Sequence, residues 1–336
     1  MSFVFWSGLM LKRLSSGCFV QGKTLCTQNI YTGRPKMYEL EEAKEIKIPI
    51  PSGHIDGKVW NEGGTPILGL HGFMDNASTW DTLAPLLPQS HSLISIDFPG
   101  HGLSSRYPVG GFGHLISNVI VVERVMQHFG WNEVNILGHS MGAGIGLLYA
   151  GTFPEKVKKL AMIDLIKPMS TSAADQPGRT ALGISDLIKA ESRLDSNPPS
   201  YEYDVIVDKM VKSYGNSLTE ESAKILLKRG SVRQPDGSYS FSYDPRLKTR
   251  GVLGMTIEQM KEYGKRLECE LMILKASLGP VYEQQEIYDE FLNVYKKKAE
   301  KFMYHTVEGT HHIHLNNPEL IAPLLNKFFG NKVNNL

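Results

Sequence analysis

The chain has 336 residues, 41% of them hydrophobic and 21% charged, enough to bury a large core in one α/β domain with an appendage. A formal net charge of +1, with no basic stripe interleaved with aromatics, argues against nucleic acid as the natural partner. The three cysteines, Cys18, Cys26 and Cys269, form no disulfide framework or metal-binding spacing, which points to a reducing, intracellular compartment.

Residues 1–38 read as a targeting or disordered extension. Through Lys36 there is no Asp or Glu, while Lys12, Arg13, Lys23 and Arg34 alternate with Ser, Thr and apolar residues in the manner of a mitochondrial presequence. Mitochondrial targeting is therefore the expectation, with a cytoplasmic location otherwise. The apolar stretch 3–11 is too short to cross a bilayer, so no transmembrane segment is expected.

From residue 43 strands alternate with helices, the pattern of a mostly parallel sheet covered on both faces. Strands are predicted to end at Ile50, Trp60, Leu70, Ile96, Gly138 and Asp164, with helical patterns over 78–87 and 115–129. Residues 66–70 run into His71-Gly72-Phe73-Met74-Asp75-Asn76, a loop able to aim a backbone N–H. The strand at 92–96 ends in Asp97-Phe98-Pro99-Gly100-His101-Gly102, whose Pro and glycines suit a tight structural reversal.

Residues 134–137, then Gly138-His139-Ser140-Met141-Gly142, then the small-residue stretch 143–150, read as strand, sharp turn and helix. A serine on such a turn projects its hydroxyl from the sheet edge, and glycines two before and two after it admit the neighbouring chains. Ser140 is the candidate nucleophile. Phe73 and Met141 are the candidate oxyanion-hole residues, through their backbone N–H groups.

Residues 167–267 form an insertion of different texture. Amphipathic helices are expected at 184–194, 203–214, 219–229 and 256–267, with turn chemistry at Gln234-Pro235-Asp236-Gly237-Ser238. The core resumes over 268–332, with strands at 271–275 and 302–307 and a closing helix at 318–329. Lys296-Lys297-Lys298 reads as the solvated end of a helix. After 302–307 comes Glu308-Gly309-Thr310-His311-His312-Ile313-His314. A base on a loop at that sheet edge can reach Ser140, and His311 is first in the loop. His312 then reads as solvent-facing and His314 as loop packing. Without a nearby Asp, Glu or Cys in a zinc-binding spacing, no metal and no cofactor are expected.

Taken together, these motifs resemble those of α/β-hydrolases over residues 47–329, interrupted by the insertion. The family's H-G loop resembles His71-Gly72-Phe73, its D-x-x-G-x-G turn Asp97 to Gly102, its elbow Gly138 to Gly142, and its H-x-x-H-L-x-x-P ending His311 to Pro318, a register that selects His311. Within the family the chain looks closest to the animal serine hydrolase-like (kraken-type) proteins. The resemblance implies an α/β-hydrolase core over 43–166 and 268–332 and a helical cap over 167–267, as in lipases, esterases and epoxide hydrolases.

The acid departs from the usual pattern. Many relatives place an Asp shortly after the seventh strand, but here Ala276-Ser277-Leu278-Gly279-Pro280-Val281-Tyr282 precedes the first carboxylate, Glu283. Asp164 is preferred, because one group of haloalkane dehalogenases is similar in drawing its acid from the end of the sixth strand; Glu283 is the runner-up. The implied reaction is cleavage of an ester, or a thioester or amide, of a small to medium apolar substrate through an acyl-enzyme. Ser140 disfavours epoxide hydrolysis and dehalogenation, which need a carboxylate nucleophile at the elbow. The alternative is a weakly catalytic scaffold that binds an apolar ligand under its cap. The oligomeric state is not legible.

Overall fold

The computed structural model describes residues 43–330. The expected targeting extension, with Cys18 and Cys26, lies outside the described residues. The chain opens with β1 (Lys44–Ile50), β2 (Gly53–Trp60), β3 (Thr65–Leu70) and β4 (His91–Ile96). Next come α1 (Leu115–Phe129), β5 (Val134–His139), α2 (Met141–Thr152) and β6 (Val157–Ile163). Between β6 and the next sheet strand lie α3 (Gln176–Glu191), α4 (Tyr203–Ser213), α5 (Glu220–Gly230), the hairpin β7 (Ser231–Arg233) and β8 (Tyr239–Phe241), and α6 (Ile257–Lys265). The chain closes with β9 (Glu270–Ala276), α7 (Gln285–Lys298), β10 (Lys301–Val307), α8 (Ile313–Asn316) and α9 (Ala322–Phe329).

Eight strands form one sheet in the order β1-β2-β4-β3-β5-β6-β9-β10, and only β2 runs against the rest. Every residue of β4 and β5 is buried, as expected of parallel strands covered on both faces. One apolar cluster packs α1, α2 and α7 against the sheet, and a second packs α9 and Trp80 against it. Each large side chain buried in them contributes about 1.5–3 kcal/mol relative to exposure. Helix α2 is buried along almost its whole length, and only glycine fits at its far end, since a Cβ on Gly151 would lie 2.6 Å from the Tyr263 carbonyl oxygen of α6.

Local signals explain several boundaries. His114 caps α1 by accepting from the Ile116 N–H, and Gly130 ends it at φ 65°. Thr219 caps α5, while Thr256 and Gln259 form a capping box on α6. Three expectations need correction, one being that the closing helix expected over 318–329 is a 3-10 turn, Pro318–Leu320, followed by α9. Instead of one helix over 78–87 there are two 3-10 turns, Ala77–Trp80 and Ala84–Leu86, because Pro85 has no N–H to continue an α-helical ladder. Helix α3 starts eight residues before the expected 184, despite Gly178 and Gly183. Its first turns are tied to a neighbouring segment: Gln176 and Thr180 both donate to the Val252 carbonyl, and Gly183 admits the Arg250 carbonyl.

Among the described residues, no helix is long and apolar enough to cross a membrane.

Candidate active site

The serine sits where the sequence places it. Ser140, between β5 and α2, has φ 48° and ψ −117°, a conformation that costs a non-glycine residue roughly 1–3 kcal/mol and that the surroundings must enforce. Its N–H donates to the Ile163 carbonyl at 3.0 Å. A Cβ at Gly138 would lie 2.6 Å from Ala143 Cα, and one at Gly142 would lie 2.1 Å from the Leu70 carbonyl oxygen. Both positions therefore require glycine, and the first turn of α2 lies hard against the end of β3. The loop bearing Phe73 leaves from that same end of β3. Met141 is the first residue of α2, so helical bonding leaves its N–H free.

The His71 loop is clamped from behind. His71 Nδ1–H donates to the Gly72 carbonyl at 2.7 Å while Nε2 accepts from the Phe98 N–H at 2.9 Å. Burial pushes this imidazole down to about 4, so it serves as a neutral strut. Asp97 accepts from the N–H groups of Ala77 and Leu103 and from the Arg229 guanidinium of α5, the structural part expected of it.

His311 joins the serine to an acid. Its Nε2 lies 2.9 Å from Ser140 Oγ and its Nδ1 2.5 Å from Asp164 Oδ2. Asp164 directly follows β6 at φ 52° and is fully buried. The Asp164 N–H donates to the Leu274 carbonyl at 2.8 Å, and Oδ1 accepts from the Ala276 N–H at 3.0 Å and from Lys275 Nζ. Gly279 leaves room for it: a Cβ there would lie 2.0 Å from Asp164 Oδ2. Glu283 is engaged elsewhere, its Oε1 accepting from Lys167 Nζ and, at 2.8 Å, from Ser170 Oγ. The structure thus brings together Ser140, His311 and Asp164.

Behind His311 lies a buried polar cluster that sequence reasoning missed. His312 is buried, not solvent-facing, because the insertion covers it: Ser217 Oγ lies 2.7 Å from its Nδ1, and the Tyr214 ring packs edge-on at 4.9 Å. His139 Nε2–H donates to the His311 carbonyl at 3.0 Å, and Nδ1 faces Asp75 Oδ2 at 3.2 Å. Burial alone would raise the Asp75 carboxyl, but His312 and His139 outweigh it and hold the group well below its ordinary range. Burial lowers His139 to about 4 and takes His314 well below the usual imidazole range. His314 is a packing residue as expected, with Nε2 2.7 Å from Thr79 Oγ1. Asp75 supplies the acidic neighbour the histidines lack in sequence. Asp75, His139 and His312 could hold a metal ion. The available signal was His139 within the elbow itself and Asp75 within the H-G loop.

Comparisons with known proteins place the fold in a family. Residues 65–182 match the family described as alpha/beta hydrolase fold. A probable serine hydrolase of Drosophila melanogaster is 33% identical over 289 residues, covering 85% of this chain and 87% of that protein. Human serine hydrolase-like protein 2 is 31% identical, covering 84% and 93%. A crystal structure of a hypothetical protein from Pseudomonas aeruginosa PAO1 superposes with a TM-score of 0.76 at 27% identity, covering 85% of this chain and 97% of that one. The thioesterase domain of a curacin biosynthetic pathway shares the fold, with a TM-score of 0.72 at 20% identity over 85% of this chain and all of that one.

Proposed function

The chain belongs to the α/β-hydrolase family, and within it to the serine hydrolase-like proteins; from that premise we propose that it is a serine esterase using Ser140, His311 and Asp164. The observation that carries the proposal is the continuous relay from Ser140 Oγ through both nitrogens of His311 to Asp164 Oδ2. Asp164 can only accept from Nδ1–H, so Nε2 presents its lone pair to the serine hydroxyl, the tautomer a general base needs. As Oγ attacks the ester carbonyl, Nε2 takes its proton and Asp164 stabilises the resulting imidazolium. The Phe73 and Met141 N–H groups receive the developing oxyanion. His311 then returns the proton to the departing alcohol and activates water to release the acid from the acyl-enzyme. Thioesters and amides fit the same steps.

Residues 167–267 serve in this reading as a cap that limits water and shapes the pocket. Exposed Phe73 and Met169 suit an apolar acyl group. A lack of an Asp shortly after β9 would favour the ligand-binding scaffold, but the Asp164–His311 contact supports the enzymatic reading. Fluorophosphonate labels only an activated serine. The wild type should be labelled at Ser140 and Ser140→Ala should not; undiminished labelling of that variant would reject the nucleophile. A panel of esters of increasing acyl length then ranks substrates. Separately, the acid-free stretch to Lys36 supports mitochondrial targeting, and a reporter fused to residues 1–36 that stays uniformly cytosolic would reject it.

A further inference from the structure

We propose that Asp75, His139 and His312 form a binding site for a divalent transition-metal ion of the zinc class. The three residues arrive from separate segments: the loop after β3, the end of β5 and the loop after β10. All are at most 1% exposed, and their ligating atoms lie within 4.8 Å of one another.

Hydrogen-bond accounting is the first argument. The His311 carbonyl can only accept, so the His139 Nε2 facing it at 3.0 Å carries the proton. In neutral His139 the Nδ1 lone pair then points at Asp75 Oδ2, 3.2 Å away. Two acceptors face each other in the core, an arrangement that requires a proton or a metal cation between them. Asp75 Oδ1 lacks a hydrogen bond of ordinary geometry, with His312 Nε2 3.5 Å away.

Metal geometry is the second. Tetrahedral bonds of 2.0–2.2 Å to zinc put neighbouring ligand atoms about 3.4 Å apart. His139 Nδ1 lies 3.2 Å from Asp75 Oδ2 and His312 Nε2 3.5 Å from Asp75 Oδ1, so each imidazole faces its own carboxylate oxygen near that spacing, and one ligand atom from each residue can be chosen with all three within 4.8 Å. Two imidazoles and a carboxylate favour zinc-class ions over calcium or magnesium, which take oxygen ligands. Beyond the ligands, a metal-bound histidine normally donates its other N–H to a carbonyl, carboxylate or water. Here His139 does so to the His311 carbonyl, and His312 Nδ1 has Ser217 Oγ at 2.7 Å. The ion fixes the His139 tautomer that holds the backbone of His311. Burial implies that it enters as the chain folds and leaves slowly. Binding does not depend on the esterase reading.

The test uses the full chain without a polyhistidine tag, expressed in cobalt-supplemented medium and gel-filtered in a chelating buffer. About one cobalt per chain is expected, with visible d–d absorption of a low-symmetry site. Asp75→Asn should lose both signals. Ser217→Ala, which removes only the group facing His312 Nδ1, should fold and weaken retention about 10–100-fold. Wild type with no retained metal, or equal content and spectrum in Asp75→Asn and Ser217→Ala, would overturn the proposal. The charge would then be a proton shared by His139 and Asp75.

Discussion

The end of β6 and the loop after β9 each present a carboxylate beside a buried lysine, and only one of them reaches His311. The pairs are crossed: Asp164, after β6, binds Lys275 of β9, while Glu283, beyond β9, binds Lys167 of the β6 loop. What separates them is distance from a strand end. Asp164 follows the last β6 residue directly and is fixed by its own N–H and by the Ala276 N–H. Glu283 lies several residues out and is held by side chains alone, Lys167 and Ser170. A group on a strand terminus inherits the precision of the sheet, whereas one on a loop depends on what the loop happens to touch. Gly279 shows how the two loops share one space, since a side chain there would collide with Asp164 Oδ2.

The largest effect expected from this contrast is at Asp164. Asp164→Asn removes the charge that stabilises the imidazolium and favours the wrong tautomer, which should cost about 10⁴-fold in turnover of a reporter ester. A loss no larger than that of Glu283→Gln would break the comparison. Next comes a relocation: in Asp164→Ala, adding Gly279→Asp places a carboxylate from the β9 side in the vacated space. That double variant should recover about 10–100-fold of the lost turnover, and no recovery would mean the β9 loop cannot aim a carboxylate at His311.

Lys275→Met should act more modestly, through stability. Stability to urea should fall by about 3 kcal/mol for breaking a buried pair. An unchanged urea midpoint would contradict the pairing of Lys275 with Asp164. The smallest effect is expected for Glu283→Gln, with turnover unchanged and a stability loss of about 1–3 kcal/mol from the weakened bond to Lys167. A turnover deficit there would make Glu283 a second contributor to the site.

Much of this was legible in the sequence, because Ser140, His311 and the H-G loop sit in short motifs whose local backbone sets their geometry. The capped helices α1, α5 and α6 were legible for the same reason. Legibility failed where partners are far apart in the chain. Lys275 meets Asp164 across 111 positions because β6 and β9 are neighbours in the sheet. Ser217 covers His312 from the insertion, 95 positions away. The early start of α3 depends on the backbone at 250–252, which outweighs the low helix propensity of Gly178 and Gly183.

The order in which these residues occur along the chain has a consequence for synthesis. Ser140 and His311 are 171 positions apart, with the serine first. At about 5–20 residues per second, a ribosome needs roughly 10–30 s to pass from one to the other. During that interval the growing chain carries the elbow serine with no imidazole to activate it. Strand β10 must emerge and pair with β9 before the His311 loop can close, so Ser140 waits for its proposed base until that strand has been made.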